Sequence, residues 1–111
     1  MSFPPSVSVL LPFRNAEATI DTAITSIVGQ SFNDLELLLI DNGSHDGSSA
    51  IVHDWSRREV RIRVIDEPSI GIAHALNTGL AAANRKYIAR MDADDIAHPE
   101  RLAKQVAYLD A

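Results

Sequence analysis

The chain has 111 residues, 46% of them hydrophobic and 23% charged, the balance of one globular domain rather than of a disordered or fibrous segment. It contains no cysteine, which excludes disulfides and thiolate metal sites and fits a reducing compartment. A net charge of −5 argues against a nucleic-acid partner, and a phosphorylated ligand would need a cation to mediate.

The first residues, Met1 to Pro5, have no basic run followed by an apolar stretch, so no signal peptide is expected. No apolar run approaches the ~20 residues that cross a bilayer. These features lead to an expected cytoplasmic location, with a membrane-peripheral setting of the full-length protein left open.

Four apolar runs read as strands, at Val7–Leu11, Leu35–Ile40, Ile62–Ile65 and Tyr87–Met91. The first is stopped by Pro12. The second is almost continuously apolar, as in a strand covered on both faces. The third alternates slightly and suggests a sheet edge. Helical patterns follow each: Ala18–Gly29, Ser48–Arg58, Ile72–Ala83 and a last one from Pro99, whose stripe is Leu102, Val106 and Leu109. Strand and helix alternate throughout, which predicts a mainly parallel sheet with right-handed crossovers and helices on both faces. Ligands of such sheets lie beyond the carboxyl ends of the strands, so the polar residues there are the candidates.

After the first strand, PFRNAE (Pro12 to Glu17) offers neither a Gly-rich dinucleotide turn nor a P-loop. Its plain reading is a stopped strand with Asn15 capping the next helix. After the second comes DNGSHDGS, from Asp41 to Ser48. Turn and cap chemistry accounts for Asn42, Gly43, Gly47 and Ser48, but does not require Asp41, which could accept from a ribose hydroxyl or a base N–H. After the third, Gly71 and Gly79 permit close approach, and His74 and Asn77 share a similar helix face. A lone His is more often structural than a ligand.

The fourth strand ends in MDADD, Met91 to Asp95. Carboxylates this close repel one another unless a cation or strong donors compensate. Asp92 and Asp94, at i and i+2, point the same way in an extended segment, and oxygen-only ligands suit Mg2+ or Mn2+ shared with phosphates. Asp95 is expected to serve the start of the last helix.

Four segments together, VSVLLPFRN (Val7–Asn15), DNGSHD (Asp41–Asp46), GIAHALNTG (Gly71–Gly79) and RMDADDIAHPERL (Arg90–Leu102), resemble the inverting family-2 glycosyltransferases of the GT-A fold, over nearly the whole chain. The resemblance implies a Rossmann-like half-domain with strand order 3-2-1-4. It implies that residues 1–111 are the nucleotide-sugar-binding portion, stopping before the acceptor-binding half. No carboxylate in the chain matches the family's general base, so that catalytic residue is expected beyond Ala111. Pro12, Phe13, Asn15, Glu17, Asp41, Gly71, His74, Asn77, Asp92, Ala93 and Asp94 would line the donor, with Asp41 near the base. Asp92-Ala93-Asp94 would be the DxD motif, Asp92 near the ribose or sugar and Asp94 on a divalent metal that helps the nucleoside diphosphate leave. The expected donor is a UDP-sugar and the acceptor a hydroxyl of a glycan, lipid or other molecule. Where the family usually has Gly, this chain has Arg85, and Asn84 is expected to take the left-handed conformation instead. A free fourth strand predicts self-association of this stretch.

A nucleotidyltransferase would share the sheet and metal but usually has a Gly-rich, basic first loop, which Pro12–Asn15 is not. A phosphoacceptor receiver domain needs an acidic pair where Phe13-Arg14 stand and an acceptor Asp where Glu67-Pro68 stand. A non-catalytic nucleotide-binding module is the remaining alternative.

Overall fold

The computed structural model describes residues 7–84 and 86–110. Arg85, at which the family glycine is replaced, lies outside the described residues. So does Ala111, the position beyond which the general base is expected. The elements run β1 (Val7–Phe13), α1 (Ile20–Val28), β2 (Leu35–Asp41), α2 (Ser48–Arg58), β3 (Ile62–Asp66), α3 (Ile72–Ala82), β4 (Tyr87–Arg90) and α4 (Arg101–Asp110). All pairings are parallel and the order is β3-β2-β1-β4, so the expected 3-2-1-4 sheet is found, with β3 at one edge and β4 at the other.

The two strands with the longest apolar runs take the centre, because only there are both faces covered. Successive side chains alternate faces. Val7, Val9, Leu11 and Phe13 of β1, with Leu35, Leu37 and Leu39 of β2, meet Ile20, Ala23, Ile24 and Ile27 of α1, Val52 of α2 and Leu102 of α4. On the other face Leu10, Leu38 and Ile40 meet Ala75 of α3. Gly79 lets α3 approach closely: a Cβ there would stand 3.1 Å from Ile40 Cδ1.

Several boundaries differ from expectation for physical reasons. Pro12 does not stop β1. Leu10 directs its carbonyl to Met91 N–H on the β4 side, whereas Phe13 directs its own to Asn42 N–H on the β2 side. Two residues beyond Leu10, the missing N–H of Pro12 therefore faces β4 where β4 has already ended, and no ladder bond is lost. Asn15 does not cap α1. The N-cap is Thr19, without a side-chain cap bond, and Asn15 adopts φ 51. Nor does a left-handed Asn84 close α3, since Ala83 leaves that helix in extended conformation. Leu109, placed on the apolar stripe of α4, is exposed. Pro99 lies in a turn ahead of α4 rather than in its first turn.

Candidate functional site

β1, β2 and β3 end level with one another: Phe13 pairs with Asp41, and Asp41 with Asp66. Loops from these ends form two adjoining clefts. One, of about 250 Å³, is lined by Pro12, Phe13, Arg14, Asn42, Ile70, Gly71 and Ile72. The other, of about 340 Å³, is acidic and lined by Asp41, Gly43, Ser44, Asp66, Glu67 and Pro68.

Asp41 is buried, and its Oδ1 accepts the Ser44 N–H at 2.9 Å, closing a turn in which Gly43 has φ 87. The glycine is required both by that φ and by Ile70, whose Cγ1 would be 3.3 Å from a Cβ. The next side chain, Asn42, is as buried as Asp41 and reaches three backbone groups of the β3–α3 loop. Its part in the site escaped sequence reasoning, which saw only a turn residue.

The loop after β1 is clasped to the loop after β2. Asn15 N–H donates to Ser44 Oγ and Asn15 Oδ1 accepts His45 N–H at 2.7 Å. Ala16 N–H donates to Ser48 Oγ, Glu17 N–H to Asp46 Oδ2, and Gly47 N–H to Glu17 Oε2. Asn15 and Glu17, expected to line the donor, thus engage their side chains in shaping the cleft from behind. The Ser48 hydroxyl, then backbone N–H groups of Ser48 and Glu17, hold the Asp46 carboxyl below the ordinary carboxylate range. On the far side, Glu67 accepts from the Thr78 hydroxyl and from Ser69 N–H, and these bonds, with nearby His74, lower its pKa as well. His74 and Asn77 are exposed on α3.

Met91 N–H bonds to Leu10 O, so the aspartates begin beside Pro12. They do not lie on an extended segment as expected. Asp95 N–H donates to Asp92 O and Asp92 N–H donates to Asp95 Oδ2, so residues 92–95 form a turn. Ala93 packs on the core while its neighbours face out. The turn brings a carboxylate oxygen each from Asp92, Asp94 and Asp95 within 4.8 Å, all three exposed. Asp95, assigned from sequence to the start of α4, belongs to this cluster; α4 begins only at Arg101. Arg90 Nη2 approaches Asp92 Oδ1 at 3.3 Å, an exposed pair of small energetic weight.

What holds the segment after the aspartates is α1 together with the residue just past its C-cap. The buried Gln30 donates through Nε2 to His98 O at 2.7 Å and accepts Leu102 N–H at Oε1, while Ser26 Oγ accepts Ala97 N–H. Gln30, just past the end of α1, therefore supplies an acceptor for an orphan N–H of α4. Nothing local in the sequence marks it. The acid-rich, oxygen-only cluster is suited to a hard divalent cation, and the clefts beside it, lined by both apolar and polar side chains, to a small polar ligand.

The sequence profile described as Glycosyl transferase family 2 matches residues 8–111. An uncharacterized glycosyltransferase of Haemophilus influenzae is 41% identical over 107 residues, 96% of this chain and 33% of that protein. A mannosyltransferase from Pyrobaculum calidifontis, solved with GDP-Man and Mn2+, superposes with a TM-score of 0.88 at 28% identity, covering 99% of this chain and 34% of the other. Staphylococcus aureus TarS 1–349, in complex with UDP, gives 0.86 at 25% identity, over 95% and 32%. The chain spans about a third of the length of each of these proteins.

Proposed function

The chain belongs to glycosyl transferase family 2 and carries the sheet of the GT-A glycosyltransferases, and on that premise we propose that residues 1–111 are the portion that binds the nucleotide-sugar donor. The observation that carries the reading is the placement of the Asp92, Asp94 and Asp95 carboxylates at the end of β4, beside the two clefts at the ends of β1, β2 and β3.

Asp41 takes the base side, at the acidic cleft, where its carboxylate faces an N–H donor such as that of uracil. UDP is preferred on that ground. Pro12, Phe13, Gly71 and the first turn of α3 with His74 and Asn77 form the walls, and Asn15 and Glu17 set the loops behind them. Asp94 and Asp92, with Ala93 between, meet the diphosphate. Three clustered carboxylates are a poor seat for a diphosphate by themselves, which fits a divalent cation, Mn2+ or Mg2+, held by Asp94 and Asp92 with Asp95 in reach. Such an ion supplies electrophilic help to the departing nucleoside diphosphate.

In the reaction proposed, an acceptor hydroxyl oxygen bonds to the anomeric carbon as the sugar–diphosphate bond breaks. The configuration inverts, and the hydroxyl proton passes to a carboxylate base. We assign that base to a part of the protein beyond Ala111, together with recognition of a glycan, lipid or other hydroxyl acceptor. Among the described residues no helix is long and apolar enough to cross a membrane, and a cytoplasmic setting, where nucleotide sugars are used, agrees with the absence of cysteine.

The reading is tested by calorimetry of UDP, GDP and ADP with Mn2+ and with a chelator. Binding of UDP in Mn2+ that vanishes in chelator is expected, and equal binding in both would overturn the cation bridge. We also propose that the open side of β4 pairs with a second copy: Ile88 is 47% exposed, and a groove of about 500 Å³ runs between β4 and α4. Light scattering of the wild type and of Ile88→Lys decides this, the variant being expected as the more monomeric.

A further inference from the structure

We propose that Gln30 is a positioning residue for the aspartate turn, holding Asp92, Asp94 and Asp95 in the arrangement that receives the divalent cation; this rests on the donor-binding reading above. Gln30 follows Gly29, the C-cap of α1, and is 3% exposed. Nε2 donates to Ser26 O at 3.0 Å, in the last turn of α1, and to His98 O at 2.7 Å, while Oε1 accepts Leu102 N–H at 3.0 Å. Two carbonyls only accept and one N–H only donates, so the partners dictate which way the amide faces.

Residues 92–95 close on themselves through Asp95 N–H to Asp92 O and Asp92 N–H to Asp95 Oδ2, but those bonds do not fix the turn against the sheet. Its entry is fixed by Met91 N–H on Leu10 O, by the buried Met91 side chain and by Arg101 Nη2 on Arg90 O. Its exit is fixed from the end of α1. Ala97 N–H donates to Ser26 Oγ, Ser31 N–H donates to Pro99 O, and Gln30 spans His98 O and Leu102 N–H. His98 O also accepts Arg101 N–H, so this carbonyl is the junction of the turn with α4, and Gln30 ties the junction to α1.

The turn needs hold at both ends. Three exposed carboxylates within 4.8 Å of one another push the segment apart until a cation compensates them. Leu102 N–H is an orphan donor in the first turn of α4, of the kind that a polar residue just ahead of a helix commonly satisfies. Here Gln30 supplies that acceptor from outside, and the Asp95 carboxylate stays with the cluster. Gln30 therefore acts on the cation and not on the clefts, whose loops have bonds of their own through Asn15, Glu17 and Asn42.

Calorimetric titration of UDP at a series of Mn2+ concentrations separates the two effects. Gln30→Met keeps about the same side-chain length and removes the amide. The apparent Mn2+ dissociation constant should rise about tenfold, the lower end of what outer-shell partners of a metal are worth, while UDP affinity extrapolated to saturating Mn2+ returns to the wild-type value. Ser26→Ala, which removes the acceptor of Ala97 N–H, should shift the same constant about threefold, the weight of one hydrogen bond. General loosening of the fold would weaken UDP at every Mn2+ concentration, so a deficit that persists at saturation overturns the proposal, as does an unchanged Mn2+ constant. Should Gln30→Met fail to melt cooperatively, Ser26→Ala carries the test, with the same two overturning results. Failure of the wild type to bind UDP sinks the donor reading instead. Mn2+ alone, followed by the broadening of the amide signals of residues 92–95 in the wild type and Ser26→Ala, then judges the positioning. Broadening at higher Mn2+ in the variant is expected, and equal concentrations, or no broadening in either protein, overturn it.

Discussion

β1 and β2 are buried at all seven of their positions, whereas β4 alternates half-buried and exposed residues over four. The difference extends to the loops. Beyond β1, β2 and β3, side chains bond to backbone across loops, through Asn42, Asn15, Glu17 and Asp46, so those clefts are formed before any ligand arrives. Beyond β4 three like charges share one exposed turn, and the segment after them is held from behind by Gln30 and Ser26 rather than by a partner across the site. One side is preorganised by hydrogen bonds. The other, in our reading, is completed by a cation. On the proposed reading, a donor bridging the two would find one end's place ready made and its charged end dependent on the ion.

The strongest way to break the comparison is at the aspartates. Asp94→Asn should weaken Mn2+-dependent UDP binding by about 100-fold or more, because even outer-shell partners of a metal are worth about 10–100-fold. Asp95→Asn should cost about tenfold, since it removes one charge of the cluster while its amide oxygen can still accept the Asp92 N–H that forms the turn. Calorimetry of both variants checks the order. A larger loss for Asp95 would move the cation towards the Asp92–Asp95 pair.

A smaller effect is expected behind the turn. Gln30→Leu strands His98 O and Leu102 N–H in a buried place, which should destabilise the chain by about 2–3 kcal/mol. For a chain of this size that is a fall in Tm of about 10 °C by thermal melting, and an unchanged Tm would mean that water or a neighbour replaces the amide.

The smallest effect is on the preorganised side. Asp46 is held below its ordinary value of 3.8, chiefly by the Ser48 hydroxyl. A lowered folded value means stability that is present above pH 3.8 and is lost as pH falls through the lower folded value. The Tm of the wild type should therefore decline faster than that of Asp46→Asn across that acid range, and coincident curves there would show that the clasp does not depend on the charge.

Part of this organisation was legible in the chain. Alternating apolar runs and helical stripes predict a parallel β/α sheet, because burial on both faces demands near-continuous apolar strands, and Asp92 and Asp94 stand out because like charges do not cluster without a reason. What escaped were residues whose partners are distant. Leu102 and Gln30 are 72 positions apart, Gly71 and Asn42 are 29, and Asn15 and His45 are 30. Local pattern assigned Asn15 to a helix cap and Asp95 to a helix start, since both residue types favour those places. The packed chain offered each a different partner. Composition and periodicity thus determined which elements form and at which end of the sheet the polar groups gather, because these follow from burial alone. Only the tertiary structure decided which backbone groups those side chains satisfy, because a buried donor or acceptor binds whatever the fold brings within about 3 Å of it.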